Sequence, residues 1–161
     1  MKTIIAIDPG KKGGFAIQYN SGITLRSMPA TDGDVADAFR DVTGKFLFNR
    51  SFDEQCVVVI EKVGGFIGVR QPGSAMFKFG YGTGFLHGVA MALGLPIVEV
   101  RPQEWQKHFG FGTKGNLTPT EWKNKLKSEA QRRFPKLNIT LQTADALLIL
   151  EWYRETHGGG Q

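Results

Sequence analysis

One cysteine in 161 residues, Cys56, leaves no partner for an intrachain disulfide and too few thiols for a Cys/His zinc cluster. Long apolar runs are missing too. None approaches the roughly 20 residues that a membrane-spanning helix needs, so no membrane partner is expected. The opening stretch Thr3-Ile4-Ile5-Ala6-Ile7 meets a carboxylate, Asp8, too soon for a secretory signal. A reducing cytoplasm fits these absences. Charge is not scarce: 22% charged and 41% hydrophobic residues exclude disorder throughout. Neither an internal repeat nor a dividing linker is visible. The length suits one domain, spanning 1–157, with residues 158–161 as a frayed glycine-rich tail.

The excess positive charge is concentrated. The net charge is +5, and residues 101–136 alone hold nine lysines and arginines against three acids. A field of that kind attracts a polyanion. A solvated helix face with counterions would carry the same charge.

Thr3–Asp8 is an apolar run ended by a carboxylate and then Pro9-Gly10, which describes a strand buried on both faces. Phe15–Tyr19 and Ile23–Arg26, separated by Asn20-Ser21-Gly22, continue it as an antiparallel meander. Apolar spacing predicts a helix over Asp34–Leu47. Cys56–Glu61 repeats the first pattern, β-branched residues and then an acid. A helix is expected over 74–94, with Phe77 assigned to the core. Gly80, Gly84 and Gly88 leave one face of that helix bare, and each costs about 1 kcal/mol relative to alanine. Close approach to its own sheet or to another chain would explain them. Pro96–Val100 is a strand and Gln103–Phe109 a short helix. Thr118-Pro119-Thr120-Glu121 starts a further helix that runs to Phe134, and a last helix begins near Thr143. The order predicts an α/β fold with a mixed sheet of about five strands, three antiparallel and then parallel, and helices on both faces.

Three carboxylates stand where a core is expected. Asp8 and Glu61 close two strands that, if parallel neighbours, end side by side at the edge where ligands gather. Asp145 lies in the first turn of the last helix among Ala144, Ala146, Leu147 and Leu148. Each acid alone has an ordinary role as a turn or helix cap. Together they form a hard, oxygen-rich set suited to Mg²⁺ or Mn²⁺.

Ile5-Ala6-Ile7-Asp8-Pro9-Gly10 with Gly13-Gly14-Phe15-Ala16, then Val59-Ile60-Glu61, then Ala144-Asp145-Ala146-Leu147, resembles the RuvC family of Holliday junction resolvases over almost the whole chain. The resemblance implies a ribonuclease-H-like fold and a homodimeric endonuclease that cuts four-way or branched DNA in a bacterial or phage-infected cell. It implies two Mg²⁺ or Mn²⁺ ions per site, held by Asp8, Glu61 and Asp145. The family's fourth acid is replaced here by Gln142, an amide that brings no charge. Lys107 and Lys123 align with family lysines near the scissile phosphate. Phe66 is the candidate for the family's aromatic wedge, since Gly64 stands nearest the family's phenylalanine. Lys11, Lys12 and Lys62 each lie within four residues of one of the acids, and Lys114 belongs to the basic segment; all are candidate DNA contacts.

Three rivals remain at this point. A protein of the same fold could hold junctions without cutting them. Another ribonuclease-H-like nuclease could act on RNA or simple duplex. An actin-like or sugar-kinase-like ATPase also begins with a strand, Asp and Gly, but needs two copies of such a fold around its nucleotide. A chain of 161 residues holds one, so no nucleotide cofactor is expected.

Overall fold

The computed structural model describes residues 2–19, 22–48, 55–62, 64 and 72–158. Phe66 and residues 159–161 of the tail lie outside them. The elements are β1 (Lys2–Asp8), β2 (Gly14–Tyr19), β3 (Gly22–Ser27), α1 (Asp32–Phe48), β4 (Gln55–Glu61), α2 (Gly73–Ala92), β5 (Ile97–Val100), α3 (Pro102–His108), α4 (Pro119–Arg133) and α5 (Ala144–His157). The sheet order is β3-β2-β1-β4-β5. β1–β2 and β2–β3 are antiparallel, and β1–β4 and β4–β5 are parallel.

β1 and β4 read as continuous apolar runs because both faces are covered. Ile4, Ala6, Val57 and Val59 pack on one side with the buried side chains of α3, α4 and α5. Ile5, Ile7, Val58 and Ile60 pack on the other with Val35 and Phe39 of α1 and Leu86 and Ala90 of α2. Cys56 is buried in that second cluster, where burial pushes its thiol up to about 11 and leaves it inert. α5 is the most enclosed helix, buried continuously from Ala144 to Leu150. That is why an acid in its first turn is informative. α4 begins as expected: the Thr118 hydroxyl accepts from the Glu121 amide at 3.2 Å, and a Glu121 carboxylate oxygen accepts from the Thr118 amide at 2.7 Å.

α2 departs from expectation in two ways. Phe77 is 74% exposed and not a core residue. α2 is apolar all round, so periodicity alone cannot choose its buried side. The glycine face is also not pressed on the sheet: a Cβ at Gly80, Gly84 or Gly88 would meet no atom within 4 Å. Substituting alanine at all three positions is expected to raise the melting temperature, since each helical glycine-to-alanine change is worth roughly 0.5–1 kcal/mol. Scanning calorimetry checks this, and a fall would show that something outside the single chain requires the bare face.

Gly13 is different. A Cβ there would collide with the carbonyl oxygen of Asp8, and it would lie 3.0 Å from the Asp8 carboxyl carbon. The turn from β1 to β2 therefore closes directly against the strand-end acid, with the Gly13 amide donating to the Gly10 carbonyl at 3.0 Å.

Candidate active site

Parallel pairing of β1 with β4 aligns Ile7 with Ile60, so the next residues, Asp8 and Glu61, leave the sheet side by side. α5 lies across β1, β2 and β4 and brings Asp145 to the same edge. The convergence is held by a cation. The Lys123 ammonium, from α4, donates to Asp145 Oδ2 at 2.5 Å and to Asp8 Oδ2 at 3.3 Å. Glu61 is held separately: the indole N–H of the fully buried Trp105 donates to its Oε2 at 2.8 Å.

The electrostatics follow from crowding. Burial is the largest influence on all three acids and raises each. Asp8 rises to about 6, with Lys123 opposing and Asp145 adding to the rise. Glu61 rises to about 8, driven next by the Asp8 charge and restrained by the Trp105 hydrogen bond. Asp145 is raised by burial against the pull of Lys123. Burial pulls Lys123 down, but the two aspartates outweigh it and hold its ammonium above the ordinary lysine range.

These donors fit a divalent cation. Asp145 Oδ1 is buried with no hydrogen-bond partner, which is costly unless a cation meets it. All donors in the set are carboxylate oxygens, the ligands that Mg²⁺ and Mn²⁺ favour. Among the described residues, no three His, Cys, Asp or Glu side chains already stand in ligating array. Lys123 holds the place between Asp8 and Asp145, so its half-exposed side chain would have to swing aside.

The other expected residues fall at varying distances from the cluster. Lys11 and Lys12 line, with Asp8, Gly13, Phe79 and Lys123, a cleft of about 280 Å³ that opens from Asp8 to solvent. The Lys62 ammonium is paired with Glu99 at 2.9 Å, and Glu99 also meets His87 Nε2 at 3.3 Å. Lys107 is exposed on α3; two residues, or about 200°, separate it from inward-facing Trp105. Lys114 is exposed in the turn before α4. Gln142 reaches the acid edge, but its Oε1 accepts from the Ser27 hydroxyl at 2.8 Å. Trp105 and Ser27 were missed from sequence; an indole donor on a short helix carries no sign of its distant acceptor. Trp105→Phe should remove the donor to Glu61 and leave a small cavity where the indole stood, and a loss of at least about 1–3 kcal/mol in urea unfolding is expected.

Comparison with solved structures places this geometry. Thermus thermophilus RuvC superposes with a TM-score of 0.57 at 16% identity, covering 96% of each chain. T. thermophilus RuvC in complex with Holliday junction substrate superposes with a TM-score of 0.61 at 14% identity, covering 97% of this chain and 96% of that one. The chain has the RuvC fold. No family profile matches the sequence, and no curated protein does. The mixed sheet predicted from element order, three antiparallel strands followed by parallel ones, is thus the one found, and it is the fold that the resemblance implied. No helix among the described residues is long and apolar enough to cross a membrane.

Proposed function

We propose that this chain is a divalent-metal-dependent endonuclease that cuts four-way or branched DNA on paired strands. The observation that carries the proposal is the meeting of Asp8, Glu61 and Asp145 at one edge of a RuvC-fold sheet, around a position already occupied by a positive charge. A RuvC of the same fold is known in complex with a Holliday junction substrate, which favours junction DNA over RNA. The local excess of lysine and arginine in residues 101–136 suits a phosphate backbone.

Divalent cations bound here would polarise a scissile phosphate and generate a nucleophile from water near neutral pH. Asp8, Glu61 and Asp145 would hold them. Trp105 fixes the Glu61 carboxylate, so that one oxygen keeps its orientation whether or not the acid is protonated. Lys123, once displaced from the aspartates, remains beside the cleft and can offset charge on the phosphate. Lys11 and Lys12, on the cleft's outer lip, are suited to neighbouring phosphates. Cutting two strands symmetrically requires two sites related by a two-fold axis, so the acting form is a homodimer.

A junction-binding protein without cleavage is the second reading, favoured by Gln142, whose amide carbonyl is taken by Ser27 where the resemblance puts an acid. Purified protein incubated with an end-labelled synthetic four-way junction and Mg²⁺ separates the two. Paired nicks that disappear in Glu61→Gln support the nuclease. Binding with no nicks in either protein supports the second reading.

A further inference from the structure

Each of the three acids has one oxygen engaged by the protein and one left over. Lys123 donates to Oδ2 of Asp8 and to Oδ2 of Asp145, and Trp105 donates to Oε2 of Glu61. The other oxygens, Asp8 Oδ1, Glu61 Oε1 and Asp145 Oδ1, accept no hydrogen bond among the described residues, and the last of them is fully buried. Charge gives the same count. The ionised acids bring three negative charges and Lys123 returns one, so a single divalent ion completes neutrality. A second would leave uncompensated positive charge in a largely buried site until an anion arrived. The position where the resemblance puts a further acid offers no replacement. Asp8, Gly14 and Ser27 stand in one row across β1, β2 and β3. Gln142 lies over that row, so close that a Cβ at Gly14 would be 3.0 Å from its carbonyl oxygen. Its side-chain oxygen, however, is turned to the Ser27 hydroxyl at 2.8 Å.

We propose that Lys123 is a built-in occupant of one cation place: the DNA-free protein takes a single divalent cation on Asp8 Oδ1, Glu61 Oε1 and Asp145 Oδ1, and the Lys123 ammonium fills the place of a second. This rests on the metal-dependent reading above. The three free oxygens do not already stand in ligating array, so closing them on an ion takes a turn of the side chains about the oxygens that Lys123 and Trp105 hold. Water and phosphate oxygens complete an octahedral ion. Full loading of the site then waits on an anion, such as a substrate phosphate, to receive the ammonium that leaves the aspartates.

The test counts ions on the full chain without DNA, from the Mn²⁺ left free in electron paramagnetic resonance titrations. Wild type is expected to bind one Mn²⁺ per chain, and Lys123→Arg, which keeps the charge, one as well. Lys123→Met keeps the bulk of the stem and loses the charge, so it should take a second ion at least about tenfold more tightly than wild type does. That variant leaves two buried aspartates without a counter-ion, and circular dichroism checks that it folds. A second measurement needs no variant. Acetylation of the Lys123 amine by acetic anhydride, read by mass spectrometry, should be unchanged by the first equivalent of Mn²⁺ and rise only at concentrations that load a second. Two ions of equal affinity on wild type, a single ion on folded Lys123→Met, or a Lys123 amine that becomes reactive with the first equivalent overturns the assignment. Wild type that binds no Mn²⁺ at all fails the underlying metal-dependent reading instead, a result visible before any variant is compared.

Discussion

Asp8→Asn is expected to lower the single-turnover rate of junction cleavage by about a thousandfold or more, while junction binding in Ca²⁺ stays intact or tightens. The change is nearly isosteric, so the strand and its turn against Gly13 should persist. What disappears is the charge. Asp8 sits on the central strand of the sheet, between Glu61 on the parallel neighbour and Asp145 on α5, and is the acid best placed to share a cation with both. An amide oxygen there contributes a weaker ligand, and loss of one preorganised electrostatic group in an active site commonly costs about 10²–10³ in rate. If Asp8 holds a divalent cation together with its neighbours, its loss would also weaken the chemistry that cation would supply, which places the effect at or beyond the upper end. Binding moves the other way, because the substrate phosphate no longer faces that negative charge. Rapid-quench cleavage and anisotropy measure the two separately. Cleavage retained at a wild-type rate would remove Asp8 from the chemistry.

Much of this site is legible in the sequence for a physical reason. A β-branched run interrupted by one acid at its end, occurring twice, has few explanations when both faces of the strand are buried, and Asp8 and Glu61 are the two interruptions. Asp145 is legible because its neighbours on α5 are almost all apolar. Lys123 is harder. It shares α4 with Lys125, Lys127, Arg132 and Arg133, and steps of about 100° spread these over several faces. Which one turns inward depends on how α4 docks on α5, which the segment's own pattern does not record. Trp105 is harder still, since α3 has seven residues, too few for a periodicity that orients it toward a strand 44 positions away. Phe77 is the opposite case: its apolar side chain predicts burial, but α2 has no polar side to show which face turns to solvent, and Phe77 lies on the exposed one.

In the absence of divalent metal, the folded protein is expected to lose stability as pH rises from about 5 to 8, and Mg²⁺ should offset that loss most strongly at the alkaline end. The folded-state pKa of Glu61 is about 8 against an ordinary value of 4.5, and that of Asp8 about 6 against 3.8. Between each pair of values the folded chain keeps a proton that the unfolded chain has released. Stability therefore falls as pH rises through that window, by up to about 1.4 kcal/mol per pH unit for each such group. Asp8 and Glu61 both contribute below about pH 6, Glu61 continues to contribute from there to about 8, and Asp145, also raised, adds slope of the same sign. Lys123 adds no slope, because its ammonium is held above its ordinary value and stays charged throughout. Summed over pH 5 to 8 these slopes approach about 5 kcal/mol, which would lower the melting temperature by roughly 10–20 °C in a chain of this size. A divalent cation held by the ionised acids would compete with those protons and with the Lys123 ammonium, so its stabilisation should grow as protons leave. Thermal melts at pH 5, 6, 7 and 8, with EDTA and with excess Mg²⁺, measure the effect. A flat EDTA profile would mean that the acids are not crowded as described, and the same profile in Glu61→Gln, whose amide cannot titrate, separates its share from that of Asp8.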